Sequence, residues 1–302
     1  MTLTGFLVAF GGGVFGAAIG ALPAFIMFVG LMVIVGAGVQ LATGNADFYG
    51  VPFGPFIGPH VGGFASGVAA LAYATSKGKF DNGRNIAPGM MGLNSPDVLL
   101  VGGIFGILGY VIQWAFSLVP AFGPGYAWTD TVALTVVVSA IITRLVFGKT
   151  GVFGTVKPGE SRYATGSGSP WVPWQSEPLQ LLVIGLGAGL AAGYLGSTLG
   201  APGVMLSFGL AAFSLLALQF GVQIPVTHHI FLPAAIAAAA SGSVIWGGIF
   251  GIVCAFVGEF MARTFVVHGD THIDPPAATI AVMTTVANAL AAFGVLALLH
   301  LP

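Results

Sequence analysis

The sequence predicts an all-α integral membrane protein with about ten transmembrane helices in two inverted five-helix repeats, interrupted by Pro/Gly-rich segments. Three observations predict it. The first is composition: 56% of the 302 residues are hydrophobic, 6% are charged, and the mean hydropathy is +0.98. A soluble domain carries about 25% charged residues, so this surface faces lipid. The second is internal duplication. Gly102–Ile107 reads GGIFGI, and Gly247–Ile252 reads GGIFGI again. Other landmarks recur in order around both copies. Gly58-Pro59-His60 precedes one small-residue stretch and His228-His229 the other, while Gly123–Asp130 and Gly269–Pro276 each lead into a late apolar segment. The third is the placement of Lys and Arg. In a ten-span arrangement all of Lys77, Lys79, Arg84, Arg144, Lys149, Lys157, Arg162 and Arg263 fall on one face. By the positive-inside rule that face is cytoplasmic and both termini lie outside.

The elements follow from apolar runs long enough to span. Residues 1–147 form the first repeat, with spans Leu3–Gly20, Leu22–Ala42, Phe56–Thr75, Val98–Val119 and Thr131–Phe147. The first has no basic region ahead of it and reads as a retained helix; Gly11–Gly13 can shift its register. Pro52–Pro59 breaks the entrance to the third. Residues Ser76–Pro96, without a counterpart in the second repeat, read as a loop before the fourth, and Asp130 caps the fifth.

Residues 148–177 form a polar cytoplasmic linker, the natural place for mobility, with Trp171 and Trp174 expected at the headgroup level. Residues 178–302 form the second repeat: Leu179–Leu195, Gly203–Phe220, His229–Ala240 continuing toward Val244, Gly247–Phe265 and Ala277–Leu299. The third of these is the weakest, being short before Gly242. An odd number of spans per repeat turns the second copy upside down relative to the first.

Candidate site residues come from the broken entrances of the third and eighth spans. Proline and glycine there cannot sustain a regular helix, so backbone amides and carbonyls need other partners. Half-helix N-termini attract anionic groups and freed carbonyls coordinate cations. The entrances carry His60 in one repeat and Thr227, His228 and His229 in the other. Histidine donates, accepts and changes charge near neutral pH, which suits polar substrate binding or proton transfer. Asn288, in the polar stripe of the last span, is a further substrate contact.

Glu259 is the candidate coupling-ion residue, because an ionisable group within a spanning helix is costly; Arg263, four residues on, is its structural partner on the same face. Val267–Pro276 holds two His and two Asp in seven residues, a divalent-cation pattern that more often marks a solvated turn capping the next helix. No metal site is assigned, no cofactor is implied, and Cys254 reads as a small hydrophobe.

No catalytic motif is present, so an enzyme is not expected. The absence of a basic surface excludes nucleic acid as a partner. The partners expected are the lipid bilayer of the plasma or inner membrane and a small polar solute, with a homo-oligomer allowed. The expected function is secondary-active transport of a small polar or anionic solute, proton- or sodium-coupled, with symport included and the substrate site between the repeats. A passive channel or facilitator, and a non-transporting membrane subunit of a larger complex, are the alternatives.

Overall fold

The computed structural model describes residues 1–164, 168 and 170–298. Of the expected linker and last span, residues 165–167 and 169 and Leu299 lie outside them. Among the described residues every regular element is helical. Six helices are long and apolar enough to cross a membrane: α2 (Ala21–Thr43), α4 (Pro96–Ser117), α6 (Pro178–Leu199), α7 (Ala201–Phe220), α9 (Val244–Phe265) and α10 (Pro275–Ala292). Four shorter apolar helices accompany them: α1 (Leu3–Ile19), α3 (Phe64–Ser76), α5 (Thr131–Phe147) and α8 (His228–Ser241). All-round apolar helices such as these are buried or lipid-facing, and large side chains including Leu7, Leu100, Leu179 and Val183 remain exposed on their outer surfaces. The protein is therefore a membrane protein by the length and composition of its helices.

Several boundaries differ from the sequence reading, each for a local reason. The third expected span begins at Phe56, but residues 51–63 are turns and the helix starts at Phe64. Gly54, Pro55, Gly58, Pro59, Gly62 and Gly63 leave too few helix formers there. From Ile57 to Gly63 these turns are buried, and the Phe56 and Gly62 carbonyls lie against the α1 backbone at Gly12 and Gly16, while the Val51 and Phe56 side chains remain exposed. On the other side, residues 222–227 are irregular, yet α8 continues through Pro233. It stops at Ser241, because Gly242 adopts a left-handed φ of 71°, so the run does not reach Val244. The Ser76–Pro96 loop partly enters the bundle. Leu22, just past the helix break at Gly20, donates its N–H to the Ile86 carbonyl at 3.0 Å, and Met90 donates its N–H to the Ala17 carbonyl at 3.1 Å. The loop thus satisfies backbone groups exposed where α1 gives way to α2. Within α2, Phe25–Leu31 is wound as a π-helix.

Packing in the two halves follows one pattern. In the first half α1 packs on α3 and α4, α3 on α4 and α5, and α4 on α5. In the second, α6 packs on α8 and α9, α8 on α9 and α10, and α9 on α10. The detail extends to single glycines. A Cβ added at Gly102 of α4 would stand 2.6 Å from the Gly13 carbonyl oxygen of α1, and one at Gly247 of α9 would stand 2.6 Å from the Gly189 carbonyl oxygen of α6. Both GGIFGI segments therefore serve the same purpose. They let two helix backbones touch where lipid supplies no hydrophobic drive for association.

The halves meet through α2 against α7 and α5 against α10. The hydrogen bonds orient the second pair. Asn288, late in α10, donates to the Ala127 carbonyl at 2.9 Å, just before α5 begins. Arg144, late in α5, donates to the Thr271 carbonyl, just before α10 begins. The two helices are therefore antiparallel. The bonds are also reciprocal: Ala127 and Thr271 each lie three residues before the aspartate that caps the helix, and Arg144 and Asn288 stand at the same distance after it.

The basic residues gather at one end. Arg84 donates to the Val267 carbonyl at 3.2 Å, Lys149 donates its N–H to Asp270, and Arg263 donates to the Tyr163 carbonyl at 3.2 Å. Lys77 lies over the Tyr73 ring, which packs against Phe147 at the end of α5. The end of the linker is bonded to the second half: Gln175 exchanges two hydrogen bonds with Val226, at 2.9 and 2.7 Å, and the Trp174 indole donates to Ile224 at 2.8 Å.

Candidate functional site

A cavity of about 580 Å³ lies where four helix starts converge. Phe64 opens α3, Asp130 caps α5, His228 opens α8 and Asp274 caps α10, and all four line it. The side walls come from α2 and α7, through residues such as Phe25 and Phe208. The turn segment contributes Phe53 and Pro59, the loop before α4 contributes Arg84 to Ala87, and the linker contributes Trp171 and Trp174. The tryptophans expected at the headgroups are thus part of the cavity wall.

Each polar group has a local cause. Asp130 accepts from the Ala133 N–H at 2.8 Å and Asp274 accepts from the Ala277 N–H at 2.7 Å, the ordinary N-cap arrangement. Asp274 also accepts from His272 Nε2 at 3.1 Å. Gly63 and Thr227 precede α3 and α8 without any side-chain cap, so the first amides of those two helices are not claimed by a carboxylate. Arg84 is held by the carbonyls of Val266 and Val267, and burial keeps its guanidinium below its ordinary value. Apart from Asn85 and His228, the rest of the wall is apolar, mostly aliphatic with six Phe and Trp side chains.

The residues singled out in the sequence are distributed as follows. His228 lines the cavity, its ring 4.9 Å from Phe25 by centroid. His229 is turned away toward a tight crevice shared with Trp171, Gln175 and Glu259. His60 is buried in the turns before α3, with its carbonyl against Gly109 of α4, and does not line the cavity. Thr227 is buried at the start of α8, where its carbonyl accepts from Ile230 and Phe231. Asn288 is engaged with Ala127. Glu259 pairs with Arg263 at 2.7 Å, and Arg263 also reaches the linker carbonyls of Tyr163 and Ala164. Of these residues only His228 lines the cavity; His229, with its ring centroid 5.9 Å from that of His228, and Thr227, His60, Asn288 and Glu259 are outside the lining.

Asp130 and Arg84 are cavity residues that the sequence reading did not place in a site; His272 and Asp274 belong to the stretch weighed as a cation pattern and read as a solvated turn, which is buried here. The signal available was the recurrence of an aspartate just ahead of the last apolar run of each copy. Among the described residues no group of three or more His, Cys, Asp or Glu side chains is arranged to hold a metal ion.

One family model matches this chain in two segments, residues 1–165 and 155–301. The chain belongs to DUF7973, a family of unknown function. No curated protein and no solved structure matches it. The two matched segments divide the family's sequence here within the linker, and each contains one GGIFGI segment and one aspartate-capped final helix.

Proposed function

We propose that this DUF7973 protein is a secondary-active transporter of a small organic solute with a polar or anionic head, and that the central cavity is its solute site. The single observation carrying this reading is the convergence of four helix starts on one cavity of about 580 Å³ between the two halves. Inverted-repeat transporters hold solute between discontinuous helices at the membrane midplane. The starts of α3 and α8 carry no side-chain cap, although Ala65 donates to the Pro59 carbonyl and Ile230 to the Thr227 carbonyl, each at 2.8 Å, so what they offer an anionic or carbonyl head is chiefly the positive end of each helix dipole. The aromatic walls suit an apolar body.

The chain is read as ten membrane segments in two five-helix units, α1–α5 and α6–α10. The matching packing within each half, the paired family matches and the reciprocal Arg144 and Asn288 hydrogen bonds support the duplication. The antiparallel course of α5 and α10 supports inversion of one unit against the other. The basic end is read as cytoplasmic, with both termini outside.

The test has two stages. Purified protein is screened for solute-dependent thermal stabilisation, and any hit is then measured for uptake into proteoliposomes under an imposed ion gradient. Phe208→Trp adds bulk to the cavity wall and is expected to abolish both signals while leaving membrane insertion intact. Uptake unaffected by this variant, or uphill accumulation failing for every stabilising solute, overturns the reading.

A further inference from the structure

His272 and Asp274 form a carboxylate–imidazole pair on the wall of the cavity, and nothing above requires them to. His272 is 1% exposed and Asp274 9%. An ionised carboxylate only accepts hydrogen bonds, so the 3.1 Å contact between Nε2 and Asp274 Oδ1 places a proton on Nε2. The other ring nitrogen, Nδ1, is then a bare lone pair, and it is buried with no hydrogen-bond partner. A buried acceptor left unpaired is unfavourable, and native interiors rarely keep one without a use. The second carboxylate oxygen is held by the Ala277 N–H, so the orientation of the pair is set by the cap of α10.

We propose that the His272–Asp274 pair is a proton-binding site, and that taking up a proton at His272 Nδ1 adds a positive charge to this part of the cavity wall. The step balances simply: one proton from water adds to the Nδ1 lone pair, and neutral imidazole becomes imidazolium beside the Asp274 carboxylate. A solute with an anionic head in the cavity is then attracted by the imidazolium charge on its wall. Proton and solute binding thereby favour each other, and by linkage the coupling is mutual. This coupling rests on the cavity being the solute site; the proton site itself does not.

The groups that share the surroundings are few enough to state. Asp270 and Asp274 lie on the same segment, and Arg144 of α5 is bonded to Thr271 beside His272. Asp130 at the start of α5, Arg84 of the loop and His228 of α8 line the same cavity, and α3 presents the Phe64 ring at 5.6 Å. His228 also has a buried Nδ1 without a partner, but no carboxylate bonds its ring.

The experiment is an NMR titration of the full chain in lipid nanodiscs with ¹⁵N-labelled histidine, with the His272 signals assigned by their loss in His272→Gln. At high pH the wild-type ring is expected as the Nε2–H tautomer, and on acidification it should gain its second proton at Nδ1. Asp274→Asn separates charge from fold. Asparagine is a good cap, and its oxygen must face the Ala277 N–H, which leaves its NH₂ facing His272 Nε2. The ring should therefore switch to the Nδ1–H tautomer. A wild-type ring that stays neutral on acidification until the fold is lost, or an Asp274→Asn ring that keeps the wild-type tautomer, overturns the proposal. Failure of every solute to move through a protein whose His272 titrates as stated refutes the transport reading alone. Solute uptake by a protein whose His272 does not titrate refutes the proton site alone.

Discussion

The glycine contacts at the two GGIFGI segments make a quantitative prediction. In Gly247→Ala the new Cβ would stand 2.6 Å from the Gly189 carbonyl oxygen and 2.7 Å from the Gly193 Cα. Ordinary contact begins at 3.4 Å, so the shortfall is about 0.8 Å. The obstructing atoms are backbone on a neighbouring helix, so no side chain can rotate aside and α6 and α9 must separate. Overpacking of this kind costs about 1–3 kcal/mol, somewhat offset by the ~1 kcal/mol that alanine gains over glycine in a helix. Gly102→Ala meets the Gly13 carbonyl oxygen at the same 2.6 Å and should cost a similar amount.

The controls are Gly11→Ala and Gly187→Ala, because a Cβ at either would meet nothing within 4 Å. They should be neutral or slightly stabilising. Stability is read by far-UV circular dichroism as denaturing detergent replaces mild detergent in mixed micelles. If Gly102→Ala and Gly247→Ala unfold at the same detergent fraction as the controls, the close backbone approach is wrong. A loss confined to one half would refute the equivalence of the two helix pairs.

Other measurements address different parts of the structure. Arg144→Met should lose about 3 kcal/mol or more, because it strands the buried carbonyl of Thr271 and the partly buried carbonyls of Val152 and Phe265; Asn288→Leu strands only Ala127 and should lose about 1 kcal/mol, and equal losses in the same unfolding assay would contradict this ranking. Cys254 is fully buried, so the unmodified protein should resist a membrane-impermeant maleimide, while Lys77→Cys and Lys149→Cys in a Cys254→Ser background should both label from the same side of sealed vesicles. Labelling from opposite sides would break the single basic end. Glu259→Gln should leave the pH dependence of uptake unchanged, since Glu259 is tied to Arg263 away from the cavity, whereas His272→Gln should remove that dependence. A profile altered by Glu259→Gln would return this residue to the coupling mechanism.

The amino-acid sequence by itself determined the solvent this protein lives in, since so few charges cannot cover a surface in water. It determined that helices are the elements, and the repeated GGIFGI marked two backbone contacts that recur in both halves. Local signals also placed Asp130 and Asp274 as caps and Glu259 beside Arg263, because these interactions reach only three or four residues along the chain.

The tertiary structure alone decided which polar groups share a cavity. His228 and His229 are adjacent in sequence, yet successive residues on a helix point in different directions, so one meets the cavity and the other the crevice with Glu259. Arg84, Trp171 and Asp274 are far apart in the chain and share a wall only because the loop and the linker fold back onto the bundle. No periodicity encodes such folding back. It depends on backbone partners elsewhere, such as Ile86 for Leu22 and Val226 for Gln175, whose identity is fixed only when the helices have packed.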